Sequence, residues 1–203
     1  MRKATQILLL AILVLNCSLK GQTREVVFWR WFQANESKLF DFESDREVIF
    51  NDLNAQPRSV NPKLTFEFGP KEHGKREFVI SADGIKEAFP AVVALGDAAP
   101  PMPRWRITKF RPRSESLLTV DFDGVQLSPN QVTFTANRRN GKVDLVLYIE
   151  GYKPIEREKY APLVFLMLDE CLGEYDVEMK VGAIDYRIPQ MSVIGLANSV
   201  VFA

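Results

Sequence analysis

The densest chemistry in this sequence lies between positions 104 and 113. Arg104, Arg106, Lys109, Arg111 and Arg113 crowd there, interleaved with Trp105 and Phe110. Guanidinium groups offer planar forks of donors that match phosphate, sulfate or carboxylate oxygens. On a strand, Arg106 would share a face with Phe110, while Arg104, Arg111 and Arg113 would flank the strand ends. Such a strip suits a phosphate, a sulfated sugar or a carboxylate-rich partner. The competing reading is a solvated edge strand kept from aggregating by its charge.

The remaining polar groups give weaker signals. Asp169, Glu170, Glu174, Asp176 and Glu178 are oxygen donors of the type that binds Ca²⁺ or Mg²⁺. They lack the ordered spacing of a calcium loop, and Asp176 and Glu178 read as the wet face of a strand. His73, in Lys-Glu-His-Gly-Lys, reads as solvated loop surface. One histidine and two cysteines, Cys17 and Cys171, exclude most zinc sites and any disulfide scaffold. Cys171 falls in an apolar helix and reads as an inert core residue. Nucleophile-elbow, phosphate-loop, dinucleotide and metalloprotease motifs are absent from the sequence. No metal and no cofactor is expected.

One stretch carries an enzymatic alternative. Leu117–Leu127 (LLTVDFDGVQL) resembles the first motif of haloacid dehalogenase-like phosphotransferases, in which an apolar strand ends in Asp-x-Asp-Gly. The resemblance implies Asp121 as phosphoryl acceptor and Asp123 as acid/base, with Mg²⁺ screening their charge. That family needs a parallel sheet, and its motif sits early in the chain. Here strands surround the motif and only 80 residues follow Asp123. Asp123-Gly124 reads more simply as a type I′ turn.

Composition narrows the partners. The chain has 203 residues with 26 basic and 26 acidic side chains, so no global field draws it to nucleic acid or to an anionic membrane. At the N-terminus, Arg2 and Lys3 precede an unbroken apolar run, Ile7–Leu15. That run is shorter than the roughly 20 residues a membrane-spanning helix needs and fits a signal-peptide core. The segment 1–17 resembles a bacterial lipoprotein signal, which implies a lipid on Cys17. Asn16 departs from the small residue expected there, and cleavage near Gly21-Gln22 is the alternative. The chain is expected to be exported, to periplasm, outer membrane or medium, with membrane contact only through a lipid anchor. Burial of the apolar run in the fold, with an intracellular role, is the weaker alternative.

The elements that must position these groups begin with Gln131–Glu150. Asn140-Gly141 is the dipeptide best suited to positive φ at both centre positions of a type I′ turn. With that turn, Val132 faces Ile149, Phe134 faces Leu147 and Ala136 faces Leu145 on one apolar face. Asp123-Gly124 likewise pairs Phe122 with Val125 and Val120 with Leu127, which suggests a four-strand meander. Upstream, Phe28, Phe32, Leu39 and Phe42 keep helical spacing over Glu25–Phe42. Ser44 and Glu47 match a capping box for a second helix that should stop before Pro57. Leu64–Phe68 and Phe78–Ile80 read as a hairpin around His73. A helix follows Asp83-Gly84, kinked or restarted at Pro90, and Trp105–Phe110 reads as a strand. Residues 155–172 form the last helix, with Pro162 in its first turn, Leu163–Leu168 buried on all sides and Gly173 as its stop. Tyr175, Val177, Met179 and Val181 alternate as a strand, with a bulge or bend at Gly182. No internal repeat stands out.

The expected fold is therefore α+β: a mainly antiparallel sheet, built of hairpins and a meander, with about four helices packed mostly on one face. Residues 25–203 should form one domain. Phe28–Phe32, Ile80–Gly84 and Leu172–Asp176 together resemble a group of uncharacterised bacterial proteins, which implies a single α+β unit and no particular activity. The function expected is that of an exported, non-enzymatic binding domain, facing an envelope protein or an anionic ligand. Its oligomeric state is open.

Overall fold

A computed structural model describes residues 22–114 and 119–189. The N-terminal run, Cys17 and the segment 190–203 lie outside the described residues. The fold is α+β. Its helices are α1 (Arg24–Ala34), α2 (Glu36–Phe40), α3 (Arg46–Val60), α4 (Phe89–Asp97), α5 (Arg157–Leu172) and α6 (Glu174–Lys180). Its strands are β1 (Thr65–Glu72), β2 (Lys75–Ser81), β3 (Trp105–Lys109), β4 (Val120–Phe122), β5 (Val125–Leu127), β6 (Val132–Arg139), β7 (Lys142–Ile149) and β8 (Val181–Arg187). They make three small sheets, β1-β2-β3, β4-β5 and β6-β7-β8, rather than one.

The glycine turns hold as expected. Asn140 and Gly141 both take positive φ, and β6 pairs β7 in the anticipated register, Val132 with Ile149 through Arg139 with Lys142. Asp123 and Gly124 do the same for β4 and β5. The meander does not form. A single 3-10 turn, Pro129–Gln131, separates β5 from β6, and the two hairpins join different sheets.

The two larger sheets share one topology. In each, a hairpin is followed by a helical crossover and a third strand parallel to the second: β3 beside β2, and β8 beside β7. These parallel pairs depart from the expected antiparallel meander, because each strand pair is joined through a helix rather than a tight turn. In the first unit, Phe28, Trp29 and Phe32 of α1 pack onto Phe78 and Trp105, with ring centroids 4.9–6.2 Å apart. In the second, Leu163, Val164, Met167 and Leu168 of α5 cover Leu145, Leu147 and Ile149.

Helical spacing over Glu25–Phe42 does not yield one helix. The chain breaks at Asn35, and α2 is a separate turn. The Ser44–Glu47 box is not formed. The Ser44 hydroxyl donates to the Asp41 carbonyl instead, and Asp45 takes the cap position. Helix α3 runs through Pro57 to Val60, since burial of Pro57 offsets the backbone bond it cannot make. Pro90 restarts a helix, as one of the two anticipated outcomes. Pro162, by contrast, lies inside α5, which begins earlier at a 3-10 turn over Pro154–Glu156. Phe165 and Leu166 of the supposedly buried run are exposed.

The largest revision concerns Tyr175–Val181. The alternation is genuine, but Tyr175–Lys180 belong to helix α6 and only Val181 is in a strand, the first residue of β8. Gly173, at φ 86°, ends α5 and turns the chain so that a new helix starts at once. Of the alternating residues only Val177 is buried within the helix, and Glu, Met and Lys favour helix over strand. The bulge at Gly182 is present: Gly182 and Ala183 stand opposite the single residue Asp144, whose Oδ1 accepts from the Ala183 amide at 2.8 Å. A Cβ at Gly182 would collide with that carboxylate oxygen.

The two units meet at Glu174, whose side chain is fully buried. Its Oε1 accepts from the amides of Ala82 (2.9 Å) and Gly84 (3.1 Å), and its Oε2 from the amide of Arg111 (2.9 Å). The Glu174 amide in turn donates to the Arg111 carbonyl at 3.0 Å. Gly173 permits this approach, because a Cβ there would sit 3.1 Å from the Arg113 nitrogen. Beside it, Tyr175 of α6 stacks near Phe89 and Phe110 at 5.9 and 5.0 Å. Removing the carboxylate strands three amides and unlinks the units. Glu174→Ala should therefore lower stability by about 3–5 kcal/mol in urea unfolding. Glu174→Gln, which keeps one acceptor oxygen, should fall between.

Candidate functional site

The arginine strip is spent on the molecule's own groups. The Arg104 guanidinium lies 3.6 Å over the Phe40 ring. Arg106 forks onto Glu77, with Nε 3.1 Å from Oε1. Lys109 pairs with Asp97 at 2.6 Å. Arg111 reaches Glu67, Asp83 and Asp169 at 2.5, 2.8 and 3.3 Å. Arg113 is exposed at the end of the segment. Parallel pairing of β3 with β2 sets Arg106 against Glu77, while Asp97 at the end of α4 meets Lys109 and three carboxylates from other elements surround Arg111. No five-residue anion cradle results.

Around Arg111 the negative charges outnumber the positive one. Burial works against the charged guanidinium, but Asp83 and Glu67 outweigh it and raise the Arg111 pKa. Asp169 goes the other way. Burial of its carboxyl is the main cause; the charges of Glu174 and Glu178 add to it and Arg111 offsets part, leaving the pKa at about 6. The acidic residues read from the sequence as a cluster divide accordingly. Asp169 and Glu174 serve the junction, Asp176 pairs with Lys180 at 2.8 Å on α6, and Glu178 is on a helix rather than on the wet face of a strand. Among the described residues no group of three or more His, Cys, Asp or Glu side chains is arranged to hold a metal ion.

Asp121 and Asp123 do not form a phosphotransfer centre. Strand β4 pairs only with β5, antiparallel, and both carboxylates are exposed, with Asp123 in the turn at φ 50°. Asp121 accepts a bond from the Gln126 amide at 3.0 Å. The phosphotransferase arrangement needs both carboxylates in a cleft at the end of a parallel strand, which this hairpin precludes. His73 occupies a turn position at φ 49° and is exposed.

What the strand pattern concealed is an apolar groove. Alternation placed Phe134 and Ala136 on the same apolar face as their cross-strand partners Leu147 and Leu145, and the register agrees. Yet Phe134 is 56% exposed. Helix α5 covers β7 and stops short of β6. A groove of about 410 Å³ remains between them, walled by Val132, Phe134 and Ala136 on one side and Met167, Leu168 and Leu172 on the other. Cys171 lines it, half-buried, its thiol pKa raised by burial and by Glu170. Asp176 and Lys180, paired to each other, sit at the rim.

The wall of this groove is also a strand edge. In β6 the residues at odd positions exchange hydrogen bonds with β7, as the Arg139–Lys142 closing pair requires. The N–H and C=O of Val132, Phe134, Ala136 and Arg138 therefore point away from the sheet. Among the described residues no strand pairs with that edge. The equivalent edge in the first unit is blunted by the irregularity between Phe68 and Lys71, where Gly69 and Pro70 sit. Its apolar face is covered: Phe42 and Phe50 stack against Phe68 at 4.8 and 5.8 Å. On the other flank of α5 lies a recess of about 470 Å³, but its cations are engaged. Lys142 donates to the carbonyls of Glu178 and Val181, and Arg157 stacks on Tyr186.

The signal that sequence alone offered for the groove was the alternation itself. It marks a face to be covered without saying what covers it. No described helix is long and apolar enough to cross a membrane. Comparison with protein-family models, with curated proteins and with solved structures yields no match.

The Asp169 carboxyl gives this region a pH signature. Its folded pKa of about 6 exceeds the ordinary value of 3.8, so the folded state binds the proton more tightly. The charged form thus costs stability above pH 6, and that cost disappears as pH falls through 6 towards 4. Asp169→Asn should raise stability by about 2–3 kcal/mol at pH 8, from roughly 1.4 kcal/mol per pKa unit. The gap to wild type should close below the ordinary carboxylate range, as read by urea unfolding across a pH series.

Proposed function

We propose that this chain is an exported, non-enzymatic binding module whose contact surface is the apolar groove between α5 and β6. The export half of this reading rests on Arg2, Lys3 and the run Ile7–Leu15, with Cys17 as a candidate lipid anchor. The binding half rests on a single juxtaposition: an eight-residue strand whose outer edge pairs with no strand among the described residues runs directly beside an apolar cleft.

That juxtaposition favours one kind of ligand, an extended polypeptide segment with apolar side chains. Such a segment adds to the sheet by main-chain bonds to β6, and its alternate side chains enter the cleft. A simple acyl chain would fill the cleft but leave the backbone donors and acceptors of Val132, Phe134, Ala136 and Arg138 unused. Affinity then comes from both sources: apolar area removed from water at Phe134, Met167 and Leu172, and new ladder bonds along β6. The arginine strip contributes rigidity to the first unit rather than a ligand site. An anionic partner would have to compete with the internal carboxylates at Arg106, Lys109 and Arg111.

A labelled peptide of alternating valine and serine, with lysine at each end for solubility, tests this reading. It should bind with saturable fluorescence anisotropy and slow amide exchange at Val132, Phe134, Ala136 and Arg138. Phe134→Ser, at an exposed position, should leave folding intact and weaken binding about tenfold or more, a loss of roughly 1.4 kcal/mol. Unsaturable binding, or protection elsewhere than β6, refutes it.

A further inference from the structure

The recess on the other flank of α5 differs from the groove in carrying cationic side chains along an apolar wall. That wall is one stripe of α5, because Arg157, Ala161 and Phe165 recur every four residues and stand above one another on one helical face. Its floor is β8. The bulge at Gly182 shifts the phase of that strand, so Val181, Ile184 and Tyr186 share the face of their partners Val143, Leu145 and Leu147, the face that α5 covers. Helix α5 is centred over β7, which leaves Ile184 half-buried and the Phe165 ring 46% exposed. The space between them, about 470 Å³, has the size of a small-molecule site.

The two cations stand at opposite ends. Val181 and Tyr186 are separated by about 15 Å along β8. Lys142 closes the first end, its Nζ donating to the Val181 carbonyl at 3.0 Å and the Glu178 carbonyl at 3.3 Å. Arg157 stands at the second, its guanidinium carbon 4.5 Å over the Tyr186 ring. These engagements are not equivalent. Lys142 commits two of its three protons to backbone oxygens. The ring holds Arg157 by charge and takes no hydrogen bond away from an oxygen acceptor. Among the described residues no oxygen accepts from the Arg157 guanidinium and no carboxylate pairs with it. Glu178 also lines the recess, yet its Oε1 lies beside Gly84, at the junction of the two units.

We propose that this recess is a second ligand site, for a small amphipathic carboxylate. The carboxylate accepts two N–H bonds from the Arg157 fork, and its hydrocarbon body lies along Ala161, Phe165 and Ile184. A fork of parallel donors matches the two oxygens of a carboxylate. The stripe from Arg157 to Phe165 runs about 12 Å along the helix, room for a chain of medium length. A neutral ligand would leave the fork unused. A short polar anion would leave the Phe165 ring in water. The site lies across α5 from β6 and does not depend on the peptide groove.

The test titrates octanoate into the full chain, with butanoate and octanamide as comparisons, read by calorimetry and amide chemical shifts. Octanoate should saturate one site, shift the amides of Ala161, Phe165 and Ile184, and bind about tenfold or more tightly than either comparison. Added salt should weaken it. Arg157→Gln should cost octanoate about tenfold in affinity and leave octanamide unchanged. Arg157→Lys, which keeps the charge without the fork, should recover part of the loss. Phe165→Ser, at an exposed position, should weaken octanoate while urea unfolding stays as in wild type.

Equal binding of octanoate and octanamide overturns the proposal, as does octanoate affinity unchanged in both Arg157→Gln and Phe165→Ser. Octanoate binding lost in Phe134→Ser but kept in Arg157→Gln places the probe in the groove and also overturns it. The two readings are judged apart. A chain that takes octanoate at Arg157 but no valine–serine peptide keeps this site and loses the peptide groove, and the reverse result keeps only the groove.

Discussion

One buried carboxylate holds the described fold together. Among the described residues no cation pairs with the oxygens of Glu174. Three backbone amides do that work, two from the turn after β2 and one from the segment after β3. A charge out of water is tolerable only with its acceptor sites filled, so the geometry of all four segments is constrained at once. The turn at Asp83-Gly84, the exit of β3, the end of α5 and the start of α6 must arrive together or not at all. Gly173 is the residue that makes the meeting possible, because the chain after β3 passes within van der Waals contact of it.

The ion-pair cluster next door follows from this arrangement. Bringing the amide of Arg111 onto Glu174 carries its guanidinium among Glu67, Asp83 and Asp169. One cation among that many carboxylates cannot stabilise them all. The least solvated, Asp169, retains the proton at higher pH than usual. The unusual titration is thus a by-product of joining two units through a narrow polar contact.

The repeated strand order explains where a ligand surface arises. Two units of hairpin, crossover helix and parallel strand differ chiefly in what lies over the edge strand. Helices α1 to α3 and the 3-10 turn Phe42–Ser44 between them precede the first unit's sheet and cover its aromatic face with Phe28, Phe32, Phe42 and Phe50. The second unit begins straight from a short hairpin, β4-β5, which packs on α5, and among the described residues no helix covers the outer part of β6. An edge strand without charge at its middle, without proline and without a bulge is a place for pairing. The same sheet design therefore gives a sealed core in one half and an open cleft in the other.

Sequence alone determined the local chemistry of this protein. Asn140-Gly141 and Asp123-Gly124 set two registers residue by residue, because positive φ and two-residue alternation leave one solution. Gly182 announced its bulge through a change of phase, and Gly173 its helix stop. Where the answer depended on distant partners, sequence patterns were blind. Tyr175–Val181 alternates like a strand, yet Glu174 is held by amides some ninety positions away in sequence, and that contact starts a helix. The strip Arg104–Arg113 looked like an anion site until the fold brought Glu77 of β2, Asp97 of α4 and Glu67 of β1 to meet it. Phe134 was marked for burial, and only the length and placement of α5 left it in solvent. Turns are decided by a few adjacent torsions, whereas helix starts, ion pairs and exposed faces are decided by which far part of the chain arrives beside them.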